Sequence, residues 1–127
     1  SDEWHRAHLA DPRSVVPESV MPPYAFLANA EVNTSLMPDH VRANRLLNVP
    51  YTDEQLASAA TDARAQAEPM GENAYDFQER YPDAVVRDFD GDPTRVTEMD
   101  ALIAYLQMLG TGVDFETYQA EAPENQR

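Results

Sequence analysis

The stretch TEMDALIAYLQMLGTG, residues 97–112, decides the fold class. Thr97 is a capping residue, Glu98 and Asp100 complement the positive end of the helix dipole, and Gly110 is a stop signal. Between them Met99, Leu102, Ile103, Leu106 and Leu109 recur at helical spacing and form one apolar stripe. Each such side chain is worth ~1.5–3 kcal/mol when fully buried, so this helix requires a partner. With the helical signals elsewhere, the stripe predicts a mostly α protein.

Outward from that helix, the same signals recur more weakly. TDEQLASAATDARAQAE, from Thr52, opens with a capping box in which Gln55 stands three residues after Thr52. Its apolar face is mostly alanine, which suits close packing or an exposed helix. MPDHVRANRLL, residues 37–47, reads as a helix with Pro38 at its start and Val41, Leu46 and Leu47 facing inward. SDEWHRAHL, residues 1–9, reads as a short helix capped by Ser1, with Trp4 and His8 on one face.

The intervening segments are loop-like. Residues 10–27 form an irregular, proline-punctuated loop. Residues 69–96 are a loop-rich excursion with a short helix around 75–81 and an extended piece at 84–87. The polar tail, residues 116–127, is expected to be disordered. The class is mostly α with long irregular loops and little strand.

Composition bounds the function. With 127 residues this is one domain's worth of chain, and it contains no internal repeat and no apolar run long enough to span a bilayer. Acids outnumber bases 23 to 9, all nine bases are arginine, and the net charge is −14. Such a surface repels phosphate backbones, which argues against nucleic acid as a partner. It suits solubility and also steering toward a basic partner. Cysteine is absent, which excludes disulfides, thiol catalysis and thiolate metal sites within these residues. The first residue is Ser1, which leads to the expectation of a processed chain or part of a longer gene product.

Few constellations could carry chemistry. His5 and His8 share a helix face, and a metal site there would need Asp2 or Glu3 as a further ligand; two solvated histidines are the simpler reading, as for His40. No nucleophile elbow or phosphate-binding glycine loop is present. In DFDGDP, Asp88, Asp90 and Asp92 alternate as in an EF-hand loop, but Pro93 and Met99 occupy positions that need glycine and glutamate. A tight acidic turn accounts for the segment more simply. Met37 and Met70 suit gap-filling, and Met99 suits the core.

VVPESVMPPY, residues 15–24, stands apart. Pro17, Pro22 and Pro23 stiffen the loop around Met21. A thioether is a soft ligand for copper or haem iron, although packing is the commoner use of a loop methionine.

Three blocks together, SDEWHRAHLADPRSVVPESVMPPYAFL, NVPYTDEQLASAATDARAQAE and VRDFDGDPTRVTEMDALIAYLQMLGTGVDF, resemble the haem domain of the monohaem cytochrome c subunit of cbb3-type cytochrome c oxidases (subunit II, FixO or CcoO). They span most of residues 1–115. The resemblance implies a class I cytochrome c-like domain, with Met21 as axial ligand to the iron of haem c. It implies that Trp4 and Tyr24 line or cover the haem, and that Arg13, in DPR, contacts a haem propionate.

The implied role is electron transfer without catalytic residues in this chain, from basic donor cytochromes toward the haem–copper subunit that reduces oxygen and pumps protons. The implied partners are that subunit and the dihaem cytochrome c subunit. The implied location is the periplasmic face of a bacterial inner membrane, held by an N-terminal anchor.

The departure is the missing C-x-x-C-H motif, which the family carries upstream of the SDEWH segment. The expectation is therefore a truncated cytochrome c-like domain, the C-terminal part after haem attachment, in which covalent haem is impossible. Its last helix is expected to lack its usual partner, and so to pack loosely or associate through its stripe. The alternative is a haem-free acidic interaction module with calcium at 88–92.

Overall fold

The computed structural model describes residues 1–109 and 111. Six α-helices are present: α1 Asp2–Ala10, α2 Pro12–Val15, α3 Met37–Leu46, α4 Asp53–Ala65, α5 Ala74–Arg80 and α6 Glu98–Leu109. Two short 3₁₀ turns lie at Ala25–Ala28 and Thr34–Leu36. Among the described residues there is no strand, only a single antiparallel bridge between Glu31 and Thr97. The chain is mostly helical with irregular loops, as expected of a cytochrome c-like domain.

The local signals explain most helix starts. Ser1 Oγ accepts the Trp4 amide at 3.3 Å and opens α1. Thr52 and Gln55 make the reciprocal capping box of α4, at 3.1 and 3.0 Å. The proline-punctuated segment 10–27 is more ordered than its sequence suggests. Pro12 occupies the first turn of α2, where its missing N–H costs nothing, and Asp11 caps that turn. The expected extended piece at 84–87 forms no strand, because no neighbouring edge offers a ladder.

The stripe on α6 has a partner after all. Met99 and Ile103 are wholly buried and cluster with Leu9 of α1 and Phe89, with Met21, Tyr24, Leu27 and Leu102 packed around them. The expectation of an unpartnered last helix is thus overturned, because α1 and the Phe89 loop cover its inner face. The stripe still frays toward its end, where Leu109 is 50% exposed. The expected stop at Gly110 and the tail 116–127 lie outside the described residues.

A second lobe forms around α4. Its alanines take the packing option: Ala59 and Ala65 are buried, and α3 and α5 lie against the helix. Arg80 of α5 forks onto the buried Asp62 carboxylate, with Nη2 to Oδ1 at 2.6 Å, and Arg64 reaches the Thr34 hydroxyl at 3.1 Å. Two expectations fail in this lobe. Leu46 and Leu47 are exposed, at 80% and 76%, because α3 meets α4 through its earlier turns and the chain then reverses at Asn48, where φ is +67°. Met70 fills no gap and is solvent-exposed.

The two lobes meet where Val32 N–H donates to Val96 C=O at 3.0 Å and Glu98 N–H to Ala30 C=O at 2.8 Å. Just beyond this closure lies the most heavily used carboxylate in the chain. Asp100 Oδ1 accepts the amides of Phe89 (3.1 Å) and Asp90 (2.9 Å), while Oδ2 accepts the Thr97 amide at 2.9 Å. In return the Thr97 hydroxyl accepts the Asp100 amide at 3.1 Å and donates to Asp90 Oδ2 at 2.6 Å. One side chain therefore caps α6 and holds the loop that carries Phe89 onto the core.

Asp100→Ala leaves three buried amides without an acceptor, and an unpaired buried group costs about 1–3 kcal/mol. The expected loss of unfolding free energy is about 3 kcal/mol by chemical denaturation, with Phe89 released from the core. Burial, the largest influence, pushes the Asp100 carboxyl above its ordinary 3.8, assisted by the Asp90 charge and opposed by the Thr97 and Asp90 amides. A raised carboxyl in the folded state means that its contribution is fully present below 3.8 and is lost as pH rises through the raised value. Comparing wild type with Asp100→Asn across that window should show the wild-type stability falling more steeply with rising pH.

Candidate functional site

The loop before Met21 is held by its own polar groups. Asp11 Oδ1 accepts the Arg13 amide at 3.2 Å and starts α2. The Ser19 amide donates to Val16 C=O at 2.9 Å, closing a turn around Pro17 and Glu18. Arg13 Nε reaches across this turn to the Ser19 carbonyl at 3.2 Å, and Ser19 Oγ accepts the Met21 amide at 3.2 Å. After the double proline, Tyr24 N–H donates to Leu9 C=O at 2.7 Å, tying the loop back to the end of α1. Met21 is thus tethered on both sides within a few residues.

The orientation of the loop follows from this. Val20 is almost fully solvent-exposed, whereas Met21 beside it is half-buried against the Leu9–Phe89–Met99–Ile103 cluster. Tyr24 joins the same cluster, with its ring 6.1 Å from that of Phe26. Met21 and Tyr24 are therefore brought together. Trp4 lies outside the cluster on an outer face of α1, 44% exposed and stacked on His8 at 4.7 Å and 9°. Arg13 is exposed, and its placed contact is with the Met21 loop.

Toward a haem these residues would offer one soft donor, the Met21 thioether, on a rigid support next to an apolar cluster, and flat aromatic surface at Tyr24 and Trp4. They also include an orphaned polar atom: Nδ1 of His8 is buried without a hydrogen-bond partner. Thioether attachment does not fit, because these residues hold no cysteine. The residues present would thus supply a thioether donor and apolar surface to a haem, and no covalent link.

The acidic segment is arranged differently from its sequence reading. The carboxylates of Asp88, Asp90 and Asp100 lie within 4.8 Å of one another, and Asp92 is not in that group. Asp92 Oδ1 instead accepts from the Thr94 hydroxyl at 2.6 Å and Oδ2 from Arg95 Nε at 2.9 Å, bonds that hold its carboxyl below the ordinary value, the Thr94 bond foremost. Asp88 Oδ1 accepts the Gly91 amide at 2.7 Å and Asp90 Oδ1 the Asp92 amide at 2.8 Å. These carboxylates build a tight acidic turn rather than an EF-hand-like array. Gly91 is required there: its φ is +87°, and a Cβ would stand 2.9 Å from Nη1 of Arg6, which donates to Asp90 C=O.

A cleft of about 320 Å³ between the lobes is lined by Met37, Ala67, Phe89, Ala104, Tyr105 and Met108 among others. None of Trp4, Arg13, Met21 and Tyr24 lines it.

Two functional features escaped the sequence reading. Asp100 stands three residues after Thr97, the spacing of a capping box, which signalled the cap but not the grip on the Phe89 loop. The orphaned His8 nitrogen had no sequence signal beyond its spacing from Trp4.

A mostly α domain with long loops and a tethered, half-buried methionine is a cytochrome c-like arrangement. The family model described as "Cytochrome C oxidase, mono-heme subunit/FixO" matches residues 1–113, and the chain belongs to that family. A comparison with curated proteins gives no match. Among the described residues no helix is long and apolar enough to cross a membrane.

The double tether of Met21 has a measurable consequence. Ser19→Ala removes the acceptor for the Met21 amide while leaving the Arg13 contact to the carbonyl. Hydrogen exchange should accelerate at Met21 about fivefold, with global stability lowered by ~1 kcal/mol or less, since a net hydrogen bond contributes about that much.

Proposed function

We propose that this chain serves electron transfer in a cbb3-type cytochrome c oxidase by supplying the methionine side of its haem c site. Membership of the mono-haem subunit family supports the setting, and the tethered Met21 is the observation that carries the reading. A bound haem supplies a reversible one-electron iron couple, whose potential an axial methionine raises.

Each residue then has a physical task. Met21 presents its sulfur from a loop that loses little entropy on coordination, because three prolines and the Arg13–Ser19 contact have already ordered it. Tyr24 and the Leu9–Phe89–Met99–Ile103 cluster back the site with apolar surface, which excludes water and favours the less charged, reduced state. Trp4 offers a separate aromatic surface on the outer face of α1. Arg13 stabilises the loop, and its exposed guanidinium carries the one positive charge between Pro12 and Glu18.

The thioether bonds require cysteines that these 127 residues do not contain, so this reading places the C-x-x-C-H segment outside them. The further elements belong to the same proposal: the haem–copper and dihaem subunits as partners, a basic donor cytochrome steered by the −14 charge, and a periplasmic position at a bacterial inner membrane.

In the haem-loaded full subunit, Met21→Ala should abolish the methionine–iron charge-transfer band of the ferric form and lower the midpoint potential. An unchanged band and potential would remove Met21 from the iron.

A further inference from the structure

We propose that Asp2 is a positioning residue for Met21: by locking the rotation of α1 it sets the Leu9 carbonyl on which the Met21 loop closes. The proposal concerns the loop itself, and its bearing on a haem rests on the reading above.

Asp2 joins three segments that are distant in sequence. Its Oδ1 accepts from Nη2 of Arg87 at 2.9 Å and from Nε2 of Gln107 at 2.6 Å, and its other oxygen lies against Nε of the same arginine. The Asp2 side chain is 19% exposed, so these charge-assisted bonds are partly shielded from salt. Gln107 stands one turn after Ile103 on α6. Arg87 also lays its guanidinium over the Phe89 ring, 5.3 Å from its centre. One carboxylate thus ties α1 both to α6 and to the loop that carries Phe89.

Spacing gives the contact its leverage. Asp2, Arg6 and Leu9 fall at i, i+4 and i+7, on one face of α1. Asp2 bonds near the end of α6, Arg6 donates to the Asp90 carbonyl at 3.1 Å, and Leu9 packs with Met99 and Ile103. An apolar contact such as that of Leu9 is non-directional and lets a helix roll or slide. The fork of Arg87 on Asp2 does not, because its bonds are directed. Rolling α1 about its axis would swing the Leu9 carbonyl, and with it the Tyr24 amide bonded there at 2.7 Å. Pro22 and Pro23 transmit that shift, since their fixed φ leaves the link between Met21 and Tyr24 little slack.

A role in the helix dipole alone does not account for the arrangement. Glu3 lies in the same first turn and complements the dipole as well, yet it is exposed while Asp2 is mostly enclosed.

The test on the full chain needs no haem. In Asp2→Ala the Met21 methyl resonance should move. The Tyr24 amide should exchange about tenfold faster, the equivalent of one charge-assisted hydrogen bond, with a smaller factor at the α4 amides. Asp2→Asn, which keeps an acceptor oxygen, should lie between Asp2→Ala and wild type. Glu3→Ala, which removes an acid from the same turn, should leave the Met21 methyl and the Tyr24 amide unchanged. In the haem-loaded full subunit, Asp2→Ala should shift the methionine–iron band.

An unmoved Met21 methyl, or equal factors at Tyr24 and throughout α4, would overturn the proposal and leave Asp2 a general stabilising residue. The same changes in Glu3→Ala would overturn it too, and assign the effect to the helix dipole. Should Asp2→Ala not fold, Asp2→Asn decides by the same comparison of Tyr24 with α4. A methionine–iron band that survives Met21→Ala would instead overturn the haem reading and leave the methyl and exchange results standing. Where Met21→Ala abolishes that band, an unmoved band in Asp2→Ala overturns the positioning role.

Discussion

The buried carboxylate of Asp100 joins the start of α6 to the loop that carries Phe89 onto the core. It accepts three backbone amides from two separate segments and so fixes the start of α6 relative to the loop at 88–91. Without that grip, Phe89 would have no fixed approach to Met99 and Ile103, and the inner face of α6 would lose part of its cover. A carboxylate in this position is costly to bury, and only several simultaneous donors offset the cost. Thr97 adds to the arrangement by bonding Asp100 and Asp90 at once, which lets two acidic side chains share one buried corner.

Around that corner the N-terminal helix is held to the 87–90 loop and to α6 by polar contacts over long sequence distances. Asp2 accepts from Arg87 at 2.9 Å and from Gln107 at 2.6 Å, and Arg6 donates to the Asp90 carbonyl at 3.1 Å. These contacts put Leu9 on the α6 stripe and so decide where the end of α1 stands. Because the Tyr24 amide is bonded to Leu9, they also decide where Met21 stands. The geometry of the methionine site is therefore inherited from the acidic corner, although the two share no side chain.

This dependence gives the acidic composition a structural side as well as an electrostatic one. Much of the acidity in the 88–100 segment is spent on backbone amides and on Arg95, which shapes a turn and leaves little of it free to act as a ligand array. The net charge of −14 still makes the surface as a whole attractive to a basic partner.

Local signals were enough for the helices that carry their own caps. Thr52 with Gln55, Ser1 with its acidic first turn, and Thr97 with the α6 stripe were all legible, because capping and amphipathic spacing act within a few residues. The stiffness of the Met21 loop was legible for the same reason, since proline restricts its own φ wherever it occurs. Burial was not legible where it depends on a remote neighbour. Leu46 and Leu47 continue an apolar pattern yet face solvent, and the stripe of α6, expected to stand bare, is covered by Leu9 and Phe89. Asp100 is read locally as a helix-dipole residue, while two of its three amide donors come from a loop ten residues earlier. His8 is read as a solvated helical histidine, and only the packed structure shows that one of its nitrogens is enclosed without a partner. Helix starts and stiff backbone could be read residue by residue, since they depend on bonded and near-neighbour forces. Which surfaces are dry and which polar groups are satisfied emerged with the folded chain, because both depend on what long-range contacts bring alongside.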